Sequence, residues 1–93
     1  MSERARKAVI DQAVRELLAG NEHAKAAHDK IVAVWQACGE SRVQAEARAR
    51  DEIGRVLLGC LWAAHHGGGP LADFTLALDR LLAGESAVDI FGT

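Results

Sequence analysis

Residues 41–65, SRVQAEARARDEIGRVLLGCLWAAH, decide how the rest of the chain is read. Ser41 followed by Gln44 is a capping box, in which side chains satisfy the free N–H groups of a helix start. A long helix is therefore expected over 42–65. On a helical wheel, Ala49, Ile53, Val56, Leu57, Cys60 and Ala64 share one apolar stripe. Extended backward, that stripe meets Arg42, Glu46 and Arg50 at or beside positions where apolar residues belong. The first turns are thus expected to project past a bundle or to face a polar surface. Charges pair along them at i,i+4, Arg42 with Glu46, Glu46 with Arg50, and Arg48 with Glu52. The ordinary reading of such a segment is a solvated, self-paired helix. The functional one makes Arg42, Glu46, Arg48 and Arg50 a polar or ligand contact.

The second half of the same segment shows the opposite anomaly. Between Ile53 and Ala64 only Arg55 is charged, and Leu58, Trp62 and Gly54 lie on the side away from the stripe. A helix that is apolar all round has to be covered all round. Either the other helices wrap it, or a second chain does. Glycines at 54 and 59 cost up to about 1 kcal/mol each relative to alanine inside a helix, but permit close approach.

Working outward, three more helices follow from spacing. Val9, Ile10, Ala13, Val14, Leu17 and Leu18 form one face of a helix over about 3–19, capped by Ser2, with Gly20 as its left-handed stop. Asn21 caps a second helix over 22–38, with the stripe Ala24, Ala27, Ile31, Val34, Trp35 and Cys38 and a stop at Gly39. Pro70 suits the first position of a fourth helix, over 70–83, which buries Leu71, Phe74, Leu78, Leu81 and Leu82 and stops at Gly84. Residues 85–93 form a short tail with one turn capped by Ser86. Its Ile90 or Phe91 is expected against the first half of the third helix. The short connections predict a small all-α, up-down antiparallel bundle of four helices, a single domain over 1–93.

Composition narrows the function. The chain has 93 residues, near half apolar and about a quarter charged, with a formal net charge of -2. That composition excludes a disordered chain and gives no electrostatic reason to expect nucleic acid. No basic recognition helix suggests DNA binding. The most apolar stretch, 56–64, is too short to span a bilayer. The start of the chain lacks a signal-peptide core, so a cytoplasmic location is expected. Cys38 and Cys60 lie about 27 Å apart along the predicted hairpin. That is far beyond the roughly 7 Å a disulfide tolerates, and both fall on core stripes. An alanine- and arginine-rich sequence is compatible with a GC-rich bacterium or its phage.

Chemical constellations are few. His65-His66-Gly67-Gly68-Gly69-Pro70 leads into a helix, as phosphate-binding loops do, but matches no phosphate-loop pattern and reads as a connection. His23, His65 and His66 fall near one end of the predicted bundle without metal-ligand spacing, so no metal or cofactor is expected. His28 reads as a half-buried, hydrogen-bonded core histidine. Serines 2, 41 and 86 read as helix caps, and no nucleophile–base pattern surrounds them.

The expectation is a non-enzymatic protein that binds another protein, as a small regulator, inhibitor or immunity-type module. It is expected to form a homodimer at micromolar concentration. Its interaction surface would be Gly54, Leu58 and Trp62, with Ile90 and Phe91 of the tail. The alternative is a protein that binds or sequesters a nucleotide or metabolite, through Arg42, Arg48 or Arg50 or the 65–70 loop.

Overall fold

The computed structural model describes residues 2–91. Among them every regular element is helical: α1 (Glu3–Gly20), α2 (Glu22–Ala37), α3 (Arg42–His65), a 3-10 turn (Pro70–Ala72), α4 (Phe74–Leu82) and α5 (Ala87–Phe91). The fold class is all-α, as the spacing predicts. Residues group into two compact units, one running to Gly54 and the other beginning at Arg55, so α3 contributes its first half to one and its second half to the other.

Local chemistry explains most helix limits. The Ser2, Asn21, Ser41 and Asp73 side chains each accept the N–H three residues on, at 3.0–3.2 Å. Each satisfies a donor that the first helical turn cannot. Gly39 and Gly84 take the left-handed conformation, φ +99° and +101°, just past the ends of α2 and α4. Gly20 does not play that role. It remains inside α1, and the turn falls on Asn21, whose extended backbone both ends α1 and caps α2.

The fourth helix starts later than expected. Pro70 opens the 3-10 turn rather than an α-helix, and Gly69 before it, at φ +78°, gives no side-chain cap. Asp73 supplies that cap, so α4 begins at Phe74. The tail forms α5, where Ser86 and Asp89 cap each other: Asp89 N–H donates to Ser86 Oγ at 3.2 Å, and Ser86 N–H to Asp89 Oδ2 at 2.9 Å. Residues 92 and 93 of the expected tail lie outside the described residues.

In the first unit the core is built on alanine. Ala24, Ala27, Ala45 and Ala49 are fully buried with Val14 and Ile53, and Ile31 and Val32 are nearly so. The first half of α3 therefore does not lack an apolar side. Ala45 and Ala49 continue the Ile53 stripe, while Arg42, Glu46 and Arg50 flank it. The α2 stripe also needs correction. Val32 is buried, whereas Val34 and Cys38 are exposed and Trp35 lies half-buried beneath Arg48, whose guanidinium carbon is 4.5 Å from the ring centre. On α1, Val9 and Ala13 are exposed, and burial concentrates at Val14.

In the second unit Val56 and Cys60 of α3 pack with Ala77 of α4 and Ile90 of α5, and Phe74, Leu81 and Phe91 close around them. Leu78 is also fully buried, whereas Leu71 stays partly exposed. The tail thus lies against the second half of α3, not the first. The reason is local: the Phe91 ring fills the space that a side chain at Gly59 would take. Arg80 fastens the turn into the tail, donating to Glu85 at 2.9 and 2.6 Å and to the Ile90 carbonyl at 3.5 Å.

Candidate interaction surface

The helical repeat of α3 sorts the apolar residues of its second half into two faces. Val56, Cys60 and Ala63 point into the second unit. Leu58, Leu61 and Trp62, at i, i+3 and i+4, form a ridge that retains 44%, 59% and 57% of its exposure. At the end of the ridge the His66 ring lies 4.2 Å from that of Trp62, and the His65 ring meets His66 edge-on at 5.2 Å. The same unit exposes Leu71 and Leu76 at an apolar depression of about 300 Å³ bordered by Arg80 and Glu85.

Of the residues expected on this surface, Leu58 and Trp62 are there. Gly54 is not: it is buried in the first unit, with Ile10 and Val14 of α1 against the space where its side chain would be. Ile90 is buried in the core of its own unit and Phe91 is half-buried against Gly59, so neither extends the ridge. Leu61 is the member that sequence reasoning missed. Its place three residues after Leu58 and one before Trp62 carried the signal.

The charged residues of the first half of α3 divide among separate partners. Arg42 donates to Glu46 at 2.8 Å, the i,i+4 pair expected, and that bond holds the Glu46 carboxyl below its ordinary value. Arg48 turns to Glu40 at 2.7 Å while lying over Trp35. Arg50, with 17% of its side chain exposed, donates to Asp11 of α1 at 2.7 Å. Asp11 accepts a second bond at 2.7 Å from Arg15, and the two arginines together lower its pKa.

The remaining chemistry is quiet. Gly67, Gly68 and Gly69 all adopt positive φ, as a sharp connection requires, and the α4 start beyond them is capped by Asp73. His28 is half-buried, with its Nδ1 3.1 Å from Asp29. Among the described residues no three His, Cys, Asp or Glu side chains gather into a metal-sized group, and no helix is long and apolar enough to cross a membrane. Burial is the main influence raising the Cys60 thiol pKa, with Asp73 adding to it.

Comparison with known protein families, with characterised proteins and with solved structures finds no match.

Proposed function

We propose that this chain works without catalysis, by protein–protein binding in the cytoplasm, as a small regulator, inhibitor or immunity-type module that also pairs with itself. The observation that carries this reading is the ridge of Leu58, Leu61 and Trp62, three large apolar side chains left about half in water on one helix face. Apolar side chains at i, i+3 and i+4 are how a helix fills a partner's groove, and tryptophan is enriched among the residues that dominate such contacts. The serine hydroxyls at 2, 41 and 86 accept helix N–H groups, which fits a structural rather than nucleophilic role for them.

A two-fold contact lets one ridge cover its own copy, so a homodimer is the simplest arrangement.

Sedimentation equilibrium of the parent and of Leu58→Glu tests the proposal, with circular dichroism to confirm that both keep their helix. The parent is expected to shift from monomer toward dimer across the micromolar range, and Leu58→Glu to stay monomeric. A parent that is monomeric throughout overturns self-association. A folded variant that still dimerises places the contact elsewhere.

A further inference from the structure

The first unit carries an open depression of about 480 Å³ to which all three of its helices contribute. Arg15 of α1, Lys25 and His28 of α2, and Glu46 and Arg50 of α3 supply its polar wall, and Leu18 and Ala19 give it an apolar patch. From this arrangement we propose that the depression is a binding site for a small oxyanion of two or more negative charges, of the phosphate type.

Three permanent cations on the wall face one carboxylate, Glu46, and Arg42 already holds that carboxylate at 2.8 Å. Counting Arg42 and the adjacent carboxylates Asp11 and Asp29, four permanent cations stand against three carboxylates. That is a local positive surplus in a chain whose formal net charge is -2. The donors are also pre-positioned. Arg15 and Arg50 each reach Asp11 through Nε at 2.7 Å, so one carboxylate holds both side chains beside the depression. A guanidinium has five N–H donors, so an Nε contact leaves the fork able to serve a second acceptor. Paired forks suit phosphate oxygens better than ammonium groups do, because two parallel N–H bonds meet two oxygens. Lys25, in a long 3.5 Å contact with Asp29 and well exposed, adds a third cation. The volume falls within the roughly 300–1,000 Å³ usual for small-ligand sites, and the Leu18–Ala19 patch leaves room for an apolar part of the ligand.

The site lies wholly within the first unit and does not depend on the α3 ridge, so it is tested in the Leu58→Glu variant as well as in the parent. Inorganic phosphate and pyrophosphate are titrated at constant ionic strength, with amide chemical shifts and the thermal midpoint as readouts. Saturable shifts centred on Arg15, Lys25, His28 and Arg50 are expected, with a rise in midpoint and tighter binding of pyrophosphate. In the Arg15→Gln, Lys25→Gln double variant the affinity is expected to fall about tenfold with the helix content kept. Shifts that never saturate, or that sodium chloride reproduces at matched ionic strength, overturn the site. So does saturable binding that the double variant leaves unchanged.

Discussion

Arg50 and Asp11, thirty-nine positions apart in the chain, meet at 2.7 Å and join the first half of α3 to α1. Asp11 also accepts from Arg15, whose hydrogen bond is the largest influence lowering the aspartate pKa, with Arg50 adding a bond and its charge. A carboxylate with a depressed pKa stabilises the fold above its unfolded value, near 3.9, and that contribution is lost as pH falls through the folded value. The first unit is therefore expected to loosen below about pH 4. Asp11→Asn removes that part of the acid sensitivity and, because the pair is partly solvated, lowers neutral-pH stability by on the order of 1 kcal/mol. Denaturation of parent and variant at pH 7 and pH 3.5 checks it: a stability gap that does not narrow in acid contradicts the assignment.

Ile90 anchors the tail. Its side chain is 4% exposed among Val56, Cys60 and Ala77, so Ile90→Ala removes buried methyl groups and leaves a cavity. Such changes cost about 2–5 kcal/mol, and less where the site can collapse. In a chain this small, whose core is shallow, a loss toward the lower end already shows as a much lower thermal midpoint. Truncation after Gly84 is expected to cost at least as much as Ile90→Ala. A truncated chain that melts like the parent shows that α5 contributes nothing to stability.

Gly59 and Phe91 should behave as a coupled pair. The Phe91 ring occupies the space of a Cβ at Gly59, so Gly59→Ala alone forces the ring aside. Alanine is also favoured over glycine inside a helix by up to about 1 kcal/mol. With Phe91→Ala in place the obstruction is gone, and Gly59→Ala is expected to stabilise by roughly that amount. The double-mutant cycle is thus expected to show Gly59→Ala changing sign with the residue at 91. Simple additivity counts against the contact.

The helix limits were largely legible because they rest on residues within three or four positions. Ser41 with Gln44, Gly39 and Gly84 each act locally, and α3 has the limits their spacing predicts. Gly20 and Pro70 misled because a glycine permits a left-handed turn and a proline permits a helix start, while neither compels one. The capping side chains of Asn21 and Asp73 placed the boundaries. Interior alanines were the harder problem. Ala49 falls on the wheel's apolar stripe, but Ala45 one turn earlier looks neutral beside Arg42, and no periodicity of large residues announces it. The candidate surface was half legible for a related reason. The wheel separates Leu58 and Trp62 from the core stripe, but it says nothing of which neighbour covers Gly54 or where a short tail turns.

The two cysteines should differ sharply in reactivity, although both fall on apolar stripes of the sequence. Cys38 caps the end of α2 and is exposed, whereas Cys60 is buried among Val56, Ala77 and Ile90. Thiol reagents attack the thiolate, so rate depends on both access and pKa. Cys60 is disfavoured twice: burial and then Asp73 raise its pKa, and at 4% exposure the sulfur offers a reagent little access until the second unit opens. With an aromatic disulfide reagent at pH 8, one thiol per folded chain is expected to react rapidly and the second only at the rate of opening. Cys38→Ser should abolish the fast phase and leave the slow one. Ile90→Ala, by loosening the cover over Cys60, should accelerate the slow phase without changing the fast one. Two fast thiols in the folded parent would place Cys60 at the surface and remove the second-unit core described above.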